Sequence, residues 1–227
     1  MAQSVLVIAD SGTGKSTSIR TLNPDETFII NIANKPLPFK GWKKQYTQIN
    51  KDNPDGNLTS ASSSAGIIKA INYVDQKRLA IKTLVVDDWQ YMSSFEYFDR
   101  ANEKGYDKFT QIAANLAMVA KLPKDLREDL TVIFLTHSED STDINGNRKI
   151  KAKTIGKMID NTLTLEGLFS IVLFGKVNKK DDGELEYGFE TQNNGENTCK
   201  SPMGMFEEFF IPNNLQYVID CIKKYEE

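Results

Sequence analysis

The sequence predicts an α/β fold: a mainly parallel central sheet with helices on both faces and a C-terminal antiparallel hairpin. Three observations carry this. Short apolar runs alternate with segments of helical period along most of the chain. Several runs are apolar at consecutive positions, as strands buried on both faces of a parallel sheet are. A glycine-rich loop follows the first run and opens a helical segment, the order a phosphate-binding unit requires.

The elements follow in order. Residues 5–9 (VLVIA) are the first strand, 10–14 a loop, and 15–22 a helix that Pro24 ends. Residues 27–33 are a second strand. The stretch 34–58 carries prolines and lysines and reads as a surface loop or insert. Ile67, Ile68, Ile71 and Val74 have helical spacing within 60–76. Residues 82–87 (KTLVVD) form a third strand. Helices follow over 89–102 and 109–128, the second broken at Pro123. Residues 130–136 are a fourth strand, 138–157 a mobile basic loop with a turn at Gly146, and a helix lies near 154–165. Strands over 168–177 and 185–192 flank a hairpin turn at 179–183. Asn213 or Asn214 caps a last amphipathic helix holding Leu215, Val218, Ile219 and Ile222.

Composition limits the function. The 227 residues are 40% hydrophobic and 26% charged, so they read as one globular domain over 1–227. A net charge of −3 excludes a globally basic nucleic-acid coat but not a local basic loop. No apolar run is long enough to span a membrane. No Lys or Arg precedes the first apolar stretch, so no signal peptide is expected, and a cytoplasmic location is. One histidine and two distant cysteines do not make a zinc site.

Residues 9–16 (ADSGTGKS) fit the phosphate-loop pattern with Ala9 in place of its first glycine. Gly12 and Gly14 let the backbone wrap a phosphate with N–H groups turned inward. The expected cradle is Asp10, Ser11, Gly12, Thr13, Gly14, Lys15, Ser16 and Thr17. Lys15 would reach the β- and γ-phosphates of ATP, and the Ser16 hydroxyl would bind Mg²⁺. Asp87 closes the third strand and is placed for the metal or its water. Asp88 reads equally as a general base for water and as a helix cap. Thr136 or His137, at a strand end facing the ligand crevice, would contact the γ-phosphate. A structural role for the single histidine is the alternative.

Residues 178–181 (NKKD) match a guanine-reading pattern, but 87–90 (DDWQ) lack the accompanying glycine, which argues against a GTPase. A kinase of a small substrate would want arginines over the phosphates. The chain has only Arg20, Arg78, Arg100, Arg127 and Arg148, of which Arg148 alone is in a lid-like loop. A motor ATPase fits better, because a strand stands between the phosphate loop and the Asp87 strand. Arg148, Lys149, Lys151, Lys153 and Lys157 then offer a single-stranded DNA contact; a solvated charged loop is the plain alternative. Lys40, Lys43 and Lys44 interleave with Phe39, Trp42 and Tyr46. That segment reads either as a base-stacking surface or as a loop pinned to the body.

With these residues in view, the chain resembles the bacteriophage-encoded RecA-like ATP-binding proteins, a group that includes single-strand annealing proteins. The resemblance rests on 9–16, 35–39 (KPLPF), 85–87 (VVD) and 134–137 (FLTH). Near the C-terminus it adds 199–206 (CKSPMGMF) and 211–215 (IPNNL). It implies a RecA-type core, ATP and Mg²⁺, hydrolysis that is slow or DNA-stimulated, single-stranded DNA as partner, and homo-oligomers. It also implies recombination or replication proteins as possible partners. By position in the family pattern, Lys200 is the candidate to reach a neighbouring subunit's γ-phosphate. A phosphotransferase and a nucleotide-gated adaptor remain the competing functions.

Overall fold

The computed structural model describes residues 1–142, 146, 148–155 and 164–227. The strands are β1 (Gln3–Ala9), β2 (Thr27–Asn31), β3 (Leu58–Thr59), β4 (Thr83–Asp87), β5 (Thr131–Thr142), β6 (Arg148–Ala152), β7 (Ile171–Lys179), β8 (Leu185–Glu190) and β9 (Phe210–Pro212). The helices are α1 (Trp42–Gln45), α2 (Ser64–Lys77), α3 (Gln90–Asp99), α4 (Asp107–Lys121) and α5 (Leu215–Glu226). The sheet order is β3-β2-β4-β5-β1-β7-β8-β9, with β6 paired to β5. β2, β4, β5, β1 and β7 run parallel. β8 and β9 add antiparallel to the β7 edge.

Strand alternation divides the core in two. Leu6, Ile8, Phe28, Ile30, Leu84, Val86, Val132 and Phe134 face one side, under Ile67, Ile71 and Val74 of α2, Met92 of α3 and Leu116 and Val119 of α4. Val5, Val7, Ile29, Val85, Ile133 and Leu135 face the other, under Ile19 and the α5 residues Leu215, Val218, Ile219 and Ile222. Because both faces are covered, the strands read as unbroken apolar runs. Trp89 is fully buried against Phe134 at 4.8 Å between ring centroids. Ser63 caps α2 by accepting from the Gly66 N–H at 3.2 Å. Asn214 caps α5 by accepting from Tyr217 at 3.0 Å.

Two elements differ from the sequence expectation, and the 34–58 insert takes one of its two expected forms. The helix expected over 15–22 is a short 3-10 helix, Ser16–Thr21. Its side chains compete for its own carbonyls: Ser18 Oγ donates to Lys15 O at 2.5 Å and Thr21 Oγ1 to Ser18 O at 2.8 Å. Among the described residues of the expected mobile basic loop, 138–142 of β5 instead pair antiparallel with β6 as a ribbon. Its acids and bases face each other, with Arg148–Asp140 at 2.9 Å and Lys151–Glu139 at 3.2 Å. The 34–58 insert contains α1 and is pinned to the body. Tyr46 is buried, Phe39 and Trp42 pack on the second core cluster, and Lys43 lies 5.7 Å above the Trp42 ring. The helix expected near 154–165 falls largely on 156–163, outside the described residues. Among the described residues no helix is long and apolar enough to cross a membrane.

Candidate functional site

The sheet register brings the functional residues to one edge. Ala9 pairs with His137 on one side and Gly175 on the other, and Asn31 pairs with Asp87. Beyond Ala9 the chain turns through Gly12 (φ +82°) and Gly14 (φ +92°), left-handed conformations that favour glycine. The loop is braced from behind. Asn213 Nδ2 donates to Gly14 O at 3.1 Å, and Arg20 Nη1 donates to Asn213 Oδ1 at 2.8 Å.

Gly175 explains why alanine is tolerated at position 9. A methyl group on Gly175 would meet the Ala9 Cβ at 2.7 Å. The small residue that the phosphate-loop pattern wants at the end of β1 is supplied across the ladder on β7. Gly175→Ala is therefore expected to lower stability by about 1–3 kcal/mol through overpacking. In thermal denaturation, the double variant with Ala9→Gly should recover most of that loss. No recovery would place the strain elsewhere.

Lys15 is almost fully buried, and its Nζ donates to Ala9 O and Asp10 O, each at 3.0 Å. Burial pushes its pKa down, against the opposing pull of Asp88 and Asp87. Ser16 Oγ donates to Asp87 Oδ1 at 2.8 Å. Burial first, then the charge of Asp88, raises the Asp87 carboxyl to about 6. A hydroxyl oxygen beside a buried carboxylate is a hard oxygen donor pair of the kind Mg²⁺ takes.

Asp88 is buried with a left-handed backbone (φ +59°). It does not cap α3 with its side chain. That carboxylate instead meets Lys35 Nζ at 2.5 Å and His137 Nε2 at 3.5 Å. Burial opposes its ionisation, yet the hydrogen bonds from His137 and Lys35 outweigh burial and hold its pKa below the usual carboxylate range. The loop glycines, Lys15, Ser16, Asp88, His137 and Lys35 share one cavity of about 240 Å³. One carboxylate, two ammonium groups and an imidazole thus line this space, and the buried Asp87 carboxyl is tied to it through Ser16.

The other expected residues divide by place. Ser11, Gly12, Gly14 and Thr17 line the same cavity. Asp10 and Thr13 line a neighbouring one of about 280 Å³, and Asp10 also accepts a hydrogen bond from Ser138. Thr136 is fully buried and donates to Gln90 Oε1 at 3.3 Å, so it points away from the cavity that His137 lines. Lys200 pairs through its backbone with Val172, at the start of β7 and three residues before the Gly175 that adjoins Ala9, rather than at the loop. Arg148, Lys149 and Lys151 lie on β6, and Lys149 Nζ donates to Gly195 O at 2.8 Å. Lys153 is exposed, and its backbone N–H donates to His137 O at 2.8 Å. Lys157 lies outside the described residues.

Sequence reasoning missed four contributors: Lys35, Gln90, Asn213 and Gly175. Gln90 Oε1 also accepts from the His137 N–H at 3.2 Å, so it braces the end of β5. Only the company of 211–215 with the phosphate loop in the stated resemblance pointed toward Asn213.

A family model described as an AAA domain matches residues 1–203. No match was found among curated proteins.

Proposed function

Since the chain belongs to the AAA domain family of P-loop ATPases, we propose that it binds ATP with Mg²⁺ and hydrolyses it as a RecA-like protein. We assign its action to single-stranded DNA in phage recombination or replication. The observation that carries the nucleotide part is the cavity on which the glycine loop, Lys15, Ser16 and Asp88 converge, with the buried Asp87 bonded to Ser16. In this reading Lys15 exchanges the Ala9 and Asp10 carbonyls for phosphate oxygens. Bound through Ser16 and Asp87, Mg²⁺ would neutralise charge on the phosphate oxygens. Asp88 accepts a proton from the attacking water, whose oxygen bonds to the γ-phosphorus as the bond to the bridging oxygen breaks. The bridging oxygen leaves with its electron pair as ADP. His137 steadies the Asp88 carboxylate and responds to the γ-phosphate.

A kinase of a small substrate is less well supported. All five arginines are engaged elsewhere: Arg20 with Asn213, Arg78 with Gly56 and Asp55, Arg100 with Glu96 and Glu103, Arg127 with Asp129, and Arg148 with Asp140. None of them lines the loop cavity.

Coupling to DNA is supported by continuity. β5 runs without a break from His137 into the ribbon, and Lys153 returns to the His137 carbonyl. Lys149, Lys151 and Lys153 are proposed to touch backbone phosphates, with Arg148 and Lys157 beside them. The ion pairs to Glu139 and Asp140 temper this positive charge, so the expected affinity is modest. The resemblance further supports homo-oligomers in which Lys200 serves a neighbouring subunit.

Replacing Lys149, Lys151 and Lys153 by alanine should weaken single-stranded DNA binding in a slowly hydrolysed ATP analogue. It should also flatten the logarithmic salt dependence, by up to about 2 in slope. Anisotropy titrations across salt concentrations check this. An unchanged slope removes the ribbon from the contact. Tight ATP binding with no DNA affinity in any nucleotide state favours the adaptor reading.

A further inference from the structure

Lys35 lies in the loop cavity but belongs to none of its expected parts. It comes from the 34–58 insert, and four observations show that its place there is built. Asn31, at the end of β2, holds the Lys35 backbone from both sides: its Nδ2 donates to Lys35 O at 2.6 Å and its Oδ1 accepts from the Lys35 N–H at 3.3 Å. Asn34, immediately before it, is left-handed (φ +51°). Among the described residues, Asn34 and Asp88 are the two non-glycine residues with such a backbone. The left-handed backbone therefore falls on Asp88 and on the residue next to Lys35, and such strain collects at functional sites. Finally, Lys35 Nζ lies 5.6 Å from the centre of the Tyr91 ring, a second soft contact for its cation.

The pair is also asymmetric. Asp88 is buried, whereas the Lys35 side chain is 58% exposed. An exposed, flexible ammonium is free to change partner, while the fixed carboxylate is not. Lys15 lines the cavity from the loop itself and is buried, whereas the exposed Lys35 lines the same cavity from the insert; Gly12 and Pro38 line it too. A terminal phosphate entering this mouth brings more charge than the Asp88 carboxylate and can accept several hydrogen bonds.

We infer that Lys35 is a same-chain cation that reads the terminal phosphate of a nucleoside triphosphate, held on Asp88 until that phosphate arrives. This rests on the nucleotide reading of the cavity. A triphosphate draws Lys35 off Asp88 and leaves the carboxylate facing His137 alone. A diphosphate does not reach it, so the Lys35–Asp88 pair persists. The site therefore distinguishes triphosphate from diphosphate without a residue from another subunit.

The test compares the affinities of a slowly hydrolysed ATP analogue and of ADP, both with Mg²⁺, for the wild type, Lys35→Ala and Lys35→Arg. Lys35→Ala should lose roughly tenfold or more in analogue affinity, as expected for a charged hydrogen bond. Its ADP affinity should stay within about twofold of wild type, which also reports that the loop is folded. Lys35→Arg should recover most of the analogue affinity. Equal losses for both ligands, or no loss for either, overturn the inference while leaving the nucleotide site standing. A wild type that binds neither ligand overturns the nucleotide reading itself, and this inference with it.

Discussion

Lys15→Ala is expected to abolish nucleotide binding, lowering ATP affinity at least a hundredfold while leaving the sheet intact. The lysine belongs to neither core cluster, and its ammonium is held by two loop carbonyls, Ala9 O and Asp10 O. Burial already pushes its pKa down, so in the empty site its charge is a cost rather than a stabiliser. Its removal should therefore alter the thermal midpoint little. The loss falls on the bound state, where charge-assisted hydrogen bonds to phosphate are absent. Calorimetric titration with ATP, beside circular dichroism melting, measures both. Wild-type ATP affinity in this variant would remove Lys15 from the site.

Asp87→Asn should separate stability from function. Burial, then the neighbouring Asp88 charge, raises the Asp87 carboxyl from an ordinary 3.8 to about 6. The folded state thus holds this proton more tightly than the unfolded chain does. Stability contributed by the protonated form is complete below 3.8, and it is lost as pH rises through the interval to about 6. Above that interval the ionised, buried carboxylate remains a cost of about 3 kcal/mol. Asparagine keeps the shape and an oxygen that accepts from Ser16, but carries no charge. In nucleotide-free, metal-free buffer at neutral pH, Asp87→Asn should melt several degrees higher than wild type. The gain should shrink toward pH 4, where the wild-type carboxyl is protonated. The same variant should lose magnesium-dependent ATP turnover by more than a hundredfold. A lower melting temperature at neutral pH would contradict the burial argument, and undiminished turnover would remove Asp87 as a metal ligand.

Much of this arrangement was legible in the chain. Residues 5–9, 82–87 and 130–136 announce buried strands because their two faces are both apolar, and β1, β4 and β5 follow. Gly12, Gly14, Lys15 and Ser16 announce the loop because few other functions need that spacing. The ribbon was not legible, since 138–142 are polar on both faces and only Ile150 and Ala152 of 148–152 face the core, too short an alternation to announce a strand. The 3-10 geometry at Ser16–Thr21 was hidden for another reason. Serine and threonine side chains bonding to nearby carbonyls leave the apolar spacing unchanged. The resemblance singled out 35–39, but the role of Lys35 was hidden because its partner Asp88 lies roughly fifty residues away and is brought to it only by the fold. Gly175 was invisible because its partner, Ala9, is its neighbour only across the ladder.

The central claim is that this cavity hydrolyses ATP and that β5 carries its state to single-stranded DNA. Steady-state ATP hydrolysis by the purified wild-type protein, with and without single-stranded DNA, tests it most directly. The expected result is magnesium-dependent turnover that rises when DNA is added. Turnover that DNA leaves unchanged, or no magnesium-dependent turnover under either condition, would contradict it.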